Sequence, residues 1–260
     1  MRRSLDGCRV IVTGASSGIG RAVAVGLAKK GASVMVNARR EVRLRQLTEK
    51  IAQAGGSAAY YAGDMTKEAD RQRLIDTACQ ELGGLDSLIN NAGLGGIGTF
   101  AAADPSRIRQ IMELNFFAPV ELTRLALPRL RKGRSPIIVN IGSVLGHFAV
   151  PRKSEYCASK FALHGFSDAL RAELAAEGID VLLISPSTTA TEFFDSAIAD
   201  KSRQGKIASR TMPPESVANR VIRAMELGKR EVILSAGGRL MVWIDRLFPG
   251  ISAKLVARFE

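Results

Sequence analysis

The chain has 260 residues, 46% of them hydrophobic and 24% charged, which is enough to bury a sizeable core and argues against intrinsic disorder. The formal charge of +12 is spread along the chain and aromatics make up only 5%, so no arginine-aromatic platform is visible and nucleic acid is not expected as the main partner. Cys8, Cys79 and Cys157 are too scattered for a disulfide framework or a zinc cluster, and no run approaches the roughly 18 apolar residues of a membrane span; without a signal-like N-terminus, a cytoplasmic protein with free thiols is expected.

Short apolar runs alternate with longer amphipathic segments, the pattern of parallel strands joined by crossover helices. Strands are predicted at 9–13, 33–37, 58–62, 87–90, 136–141, 180–185 and 231–234, and helices at 19–30, 40–54, 67–82, 106–130, 155–177 and 214–227. In the second helix Leu44, Leu47 and Ile51 recur at spacings of three and four, with Arg43, Arg45 and Lys50 on other faces. Gly31, Gly55, Gly56, Gly83, Gly84 and Gly178 follow helical runs as left-handed caps would. With no linker or repeat, one α/β domain is expected over 1–236, and 237–260 is read as an apolar and basic extension of it.

The first strand runs into Thr13-Gly14-Ala15-Ser16-Ser17-Gly18-Ile19-Gly20 and directly into a helix. Glycines allow the tight turn and the close approach of a diphosphate, while the helix N-terminus offers free N–H groups, so this segment reads as a pyrophosphate cradle. Its spacing, Thr-Gly-x-x-x-Gly-x-Gly, resembles the cofactor motif of the short-chain dehydrogenase/reductase family, and the resemblance extends to about residue 236. Asn90-Asn91-Ala92-Gly93 matches a second family motif, and Asp64, followed by Met65, matches its adenine-contacting aspartate. The resemblance implies a Rossmann-type, doubly wound sheet of about seven strands with helices on both faces.

At the end of the second strand stand Asn37-Ala38-Arg39-Arg40. The family's NAD-selecting aspartate would fall on Ala38, and an arginine at Arg39 is typical of NADP users, so NADP(H) is favoured over NAD(H), with Arg40 in reserve. Ser17 departs from the basic residue many NADP-dependent relatives carry there, and both arginines could simply begin a solvated helix.

Tyr156 and Lys160, four apart in a helical segment, share a face, and a nearby ammonium is expected to lower the phenol pKa so that the tyrosine exchanges a proton. Ser143 follows the fifth long strand at the carboxyl end of the sheet, and would hydrogen-bond the reacting oxygen. Asn115 matches the family's fourth active-site residue. Pro186, Thr189 and Thr191 match its nicotinamide-contacting segment, with Ser187 in place of a glycine. His147 could line the pocket or face water, His164 reads as a packing residue, and no His, Cys and carboxylate set has metal-ligand spacing.

The implied activity is hydride transfer between NADP(H) and a carbonyl or secondary alcohol. Leu94, Val144, Leu145, Phe148, Phe193 and Phe194 suggest an apolar substrate. The alternatives are a catalytically idle dinucleotide-binding sensor or scaffold, and a peripheral membrane-associated lipid or steroid reductase. The resemblance also implies a homodimer or homotetramer through helices 106–130 and 155–177. In 237–260 large apolar residues alternate with arginines, and Pro249-Gly250 should split the segment into two amphipathic pieces, packed over the cleft or a subunit neighbour, or touching a membrane.

Overall fold

The computed structural model describes residues 3–193, 197–199 and 211–257. Its strands in chain order are β1 (Arg9–Thr13), β2 (Ser33–Ala38), β3 (Ser57–Ala62), β4 (Ser87–Asn90), β5 (Gly96–Ile97), β6 (Ile137–Ile141), β7 (Asp180–Ser185), β8 (Ile198–Ala199) and β9 (Glu231–Ile233). Its helices are α1 (Gly18–Ala28), α2 (Glu41–Gln53), α3 (Glu68–Leu82), α4 (Ser106–Met112), α5 (Ala118–Leu130), α6 (Ser154–Leu174), α7 (Pro214–Glu226), α8 (Ala236–Leu247) and α9 (Pro249–Val256). Seven strands form one parallel sheet in the order β3-β2-β1-β4-β6-β7-β9, and the short β5 and β8 pair apart from it.

Alternation along each strand divides the core. Val10, Val12, Val34 and Val36 pack with Leu27, Leu44 and Val221 on one face, while Ile11, Met35, Leu88 and Ile138 pack with Leu74, Leu122 and Leu170 on the other. Both faces are covered, which is why these strands read as continuous apolar runs. Strand order reverses between β1 and β4, and in such sheets ligands bind in the crevice at the carboxyl ends of the strands flanking the reversal.

Two segments differ from the sequence expectation. The helix predicted over 106–130 is interrupted by a π-helical turn at Glu113–Phe117. Pro119 has no N–H to give the carbonyl of Asn115, so the ladder loosens there and Ala118 N bonds back to Glu113 O. The tail does split before Pro249, at Phe248. One face of it packs through Val242 and Val256 onto Val144 and Phe148. Those two predicted pocket residues are therefore largely core, under α8 and α9. The other face leaves Leu240, Trp243, Leu247, Phe248 and Ile251 more than half exposed.

Candidate active site

The turn between β1 and α1 is held from behind by the segment after β4. Thr13 Oγ1 accepts hydrogen bonds from Asn91 N (3.0 Å) and Ala92 N (3.1 Å), and Asn91 Nδ2 donates to Thr13 O (2.9 Å) and Gly14 O (3.2 Å). Gly14 has φ +65°, and a Cβ there would lie 2.8 Å from Ala92 Cα. A Cβ on Gly20 would collide with Asn91 Nδ2 and Gly14 O. The backbone at both positions is thus bare and pinned, and Ser16, Ser17, Gly18 and Ile19 follow it into the N-terminal turn of α1. Such a cradle fits the diphosphate of a dinucleotide. A cleft of about 490 Å³ opens beside it, lined by Ser16, Ser17, Gly18, Arg43, Thr191 and Glu192 among others.

Of the two arginines after β2, it is Arg40 that turns to this cleft. Its guanidinium donates to Ser16 Oγ (2.9 Å) and Ser17 Oγ (3.0 Å), and ion-pairs with Glu192, as does Arg43. Arg39, favoured by the sequence reading, is exposed and makes no hydrogen bond or ion pair among the described residues. Asp64 is half-buried, accepting from Thr66 N (3.0 Å) and Thr66 Oγ1 (2.9 Å), with Met65 buried behind it.

Below the cradle, the π-helical turn aims Asn115 at the loop after β4. Asn115 Oδ1 accepts from Leu94 N (2.7 Å), and its Nδ2 donates to Leu94 O (2.9 Å) and Ser159 Oγ (3.0 Å). Gly93 brings this loop close, since a Cβ there would lie 3.2 Å from Asn115 Oδ1 and 3.8 Å from Lys160 Nζ. Lys160 Nζ donates to Ile141 O (2.9 Å) and stands 5.8 Å from the centre of the Tyr156 ring. Ser143, at the mouth of β6, caps the turn Val144–Gly146 by accepting from Leu145 N (3.1 Å). Tyr156 reaches Ser143 and packs edge-on against Phe193, ring centres 5.7 Å apart. Asn115, Ser143, Tyr156 and Lys160 are therefore brought together from three segments, the π-helical turn, the loop after β6 and α6.

The electrostatics correct one expectation. Burial pushes the Tyr156 phenol up to about 12, the hydrogen bond from Ser143 opposing it only in part. Burial also pulls the Lys160 ammonium down to about 8. Burial of both side chains therefore outweighs the lowering expected from the neighbouring ammonium, whose Nζ is also hydrogen-bonded to the Ile141 carbonyl.

On the segment after β7, Pro186 O accepts from Val144 N (2.9 Å), Thr189 is buried with its hydroxyl on Ser187 O (3.1 Å), and Thr191 touches the position of a Gly18 Cβ. Of the three, Thr191 lines the cleft. Phe194 lies outside the described residues. The sequence reading placed Thr13 in the cradle motif without its bracing role, and missed Ser159 and Glu192, common residue types outside any spacing signal. It also missed the ion pair of Arg107 and Glu155 beside Tyr156, which links α4 to α6.

A family model for short chain dehydrogenases matches residues 9–202. Hydroxysteroid 11-beta-dehydrogenase 1-like protein B of Xenopus laevis is 33% identical, over 98% of this chain and 87% of its own length. An uncharacterized oxidoreductase, YxnA of Bacillus subtilis, is 32% identical over 96% of this chain and 71% of its own. Among solved structures, a short chain dehydrogenase/reductase of Burkholderia phymatum in complex with NAD has a similar fold, with a TM-score of 0.88 at 21% identity over 96% of each chain. A dehydrogenase/reductase of Sinorhizobium meliloti gives 0.81 at 29% identity, over 90% of this chain and 97% of its own. With that match across most of its length, the chain belongs to the short-chain dehydrogenase/reductase family and is an oxidoreductase of that type.

Proposed function

We propose that the protein interconverts an apolar ketone and its secondary alcohol using NADP(H), with Tyr156 moving the proton. The observation that carries this reading is the meeting of Asn115, Ser143, Tyr156 and Lys160 beneath the glycine cradle. When bound, the nicotinamide supplies or accepts the hydride. Ser143 then holds the reacting oxygen, and Tyr156, which keeps its proton at neutral pH, gives it to that oxygen as the carbonyl is reduced. Lys160 stays mostly charged near pH 7 and stabilises the phenolate left behind, while Asn115 braces the loop after β4 against α6. Thr191, which lines the cleft, with Pro186 and Thr189 on the same segment, is the part assigned to the nicotinamide.

Arg40 supports NADP(H). Its guanidinium rests on the Ser17 hydroxyl, so a cation reaches from the start of α2 the place where relatives carry a basic side chain at position 17. A 2′-phosphate there would meet Arg40, with Arg39 beside it. The half-buried Leu94, Leu145 and Phe193 favour an apolar substrate, and the Xenopus relative's name points the same way. Exposed Ile108, Phe117 and Phe161, on or next to α4, α5 and α6, support a homodimer or homotetramer through these helices.

No described helix is long and apolar enough to cross a membrane. The bare face of α8 and α9, with Arg239, Arg246 and Lys254 among its apolar residues, supports a cytoplasmic enzyme that touches an anionic lipid surface peripherally. Oxidation of NADPH and NADH over a panel of cyclic and linear ketones tests the main reading. Tyr156→Phe should still bind NADPH and lose nearly all turnover, and a folded variant with parental turnover would refute the mechanism. Trp243→Ser with Leu247→Ser should abolish co-sedimentation with anionic vesicles while leaving turnover intact; a parent that never sediments with them at low salt removes the membrane reading alone.

A further inference from the structure

The sequence contains two histidines, and the fold brings both to one place. His147 follows the turn that Ser143 caps, His164 lies on α6, and the two rings are 4.4 Å apart between centres. Glu231, at the start of β9, reaches the same spot. We propose that His147, His164 and Glu231 form a binding site for a divalent ion of the zinc class, outside the catalytic centre.

The geometry is close to what such an ion needs. One ligand atom from each of the three residues lies within 4.8 Å of the others. Tetrahedral bonds of ~2.0–2.1 Å put ligand atoms about 3.3 Å apart; His147 Nε2 and Glu231 Oε1 already stand 3.1 Å apart. The outer partners fit as well. His164 Nδ1 lies 3.0 Å from Gly146 O, an atom that can only accept. Nδ1 therefore donates to that carbonyl, which leaves Nε2 as the nitrogen turned to the cluster.

The His147 side chain is fully enclosed, and Glu231 Oε1, on the other side of the site, is buried without a hydrogen-bond partner. Such an orphan calls for an occupant. Ser185 Oγ, 2.9 Å from His147 Nε2, and Asp168 Oδ2, 3.3 Å from His164 Nε2, add oxygens around the three. Asp168 is exposed and gives a way in from solvent. Its pairing with Arg171, and the positive Arg246, weaken the site without closing it.

An ion here would tie together the loop of Ser143, the helix of Lys160 and the edge strand β9. Titration of the metal-stripped full chain with Zn²⁺ by calorimetry should show one equivalent bound with micromolar or tighter affinity. At a hundredfold excess over Kd the melting temperature should rise by about 5 °C. Co²⁺ in its place should show tetrahedral visible bands without thiolate charge transfer, separating the site from Cys8, Cys79 and Cys157. His164→Gln with Glu231→Gln, at partly exposed positions, should weaken binding at least tenfold while the metal-free protein melts within a few degrees of the parent. Absence of micromolar binding in the parent, or equal binding in the double variant, would overturn the proposal and leave the trio as a hydrogen-bonded part of the core.

Discussion

Removing Arg107 should destabilise the protein more than any single surface change, and the loss should depend on pH. Arg107, on α4, donates through Nε (2.9 Å) and Nη2 (2.6 Å) to Glu155 Oε1, and Ser154 Oγ donates to the other oxygen (2.8 Å). The two side chains are only 2% and 3% exposed, so Arg107→Met strands a carboxylate in the core. Breaking a buried pair from one side costs about 3–5 kcal/mol. With an unfolding entropy of about 2.1 cal/mol/K per residue over 260 residues, that lowers the melting temperature by about 5–9 °C. Burial alone would raise the Glu155 pKa, but the bonds from Arg107 and Ser154 outweigh it and hold the carboxyl below its usual 4.5. The pair therefore contributes fully above that value, and its contribution fades as pH falls through the lowered one. In the variant the stranded carboxyl protonates more readily, so the gap to the parent should be widest near pH 7 and narrow on acidification. Arg107→Met with Glu155→Met should recover much of the loss. Thermal unfolding followed by circular dichroism at several pH values reads all three effects. A gap below about 1 kcal/mol, a gap independent of pH, or a double variant no more stable than the single one would refute the reasoning.

Three further outcomes follow from the site. Lys160→Met should abolish turnover yet melt no lower than the parent at neutral pH, because a desolvated ammonium is removed; since burial lowers the lysine pKa to about 8, its penalty is full below that pH and vanishes as pH rises towards 10.5, so the two melting curves should converge there. Gly20→Ala should lose dinucleotide binding by fluorescence titration, as the new methyl collides with Asn91 and the Gly14 carbonyl; unchanged affinity would mean the cradle is not pinned as described. Glu192→Ala releases Arg40 and Arg43, and as exposed pairs of this kind are worth about 0–1 kcal/mol, NADPH should bind up to about fivefold tighter at low salt with NADH unaffected. Equal changes for both nucleotides would show that Arg40 does not read the phosphate.

Much of the sheet was legible because each central strand is buried on both faces and must be apolar throughout, so strands such as 9–13 and 180–185 announce themselves. The cradle was legible for a related reason: Gly14 and Gly20 stand where no Cβ fits, and that constraint is written directly as glycine. The π-helical turn was hidden because Pro119 near the start of a helix is an ordinary residue, and only the helix running on before it makes the missing N–H disruptive. Spacing likewise put Tyr156 and Lys160 on one face of α6, but proximity along a helix does not report burial. Burial is what raises the phenol pKa and lowers that of the ammonium.

The same limit explains the arginines and the histidines. Position after β2 put Arg39 first with Arg40 in reserve, whereas the hydroxyls that hold the Arg40 guanidinium, those of Ser16 and Ser17, lie more than twenty residues away and give no local signal. A metal-ligand spacing rule looks for donors close in sequence, whereas His147, His164 and Glu231 come from a loop, a helix and an edge strand that become neighbours only when β7 pairs with β9 and α6 packs on β7. The residues proposed for catalysis share this origin, since Ser143 and His147 flank one short turn and Lys160 and His164 are one helical turn apart. Anything that moves that turn against α6 must act on both sets, so occupancy of the histidine cluster and the reach of Ser143 towards Tyr156 should change together.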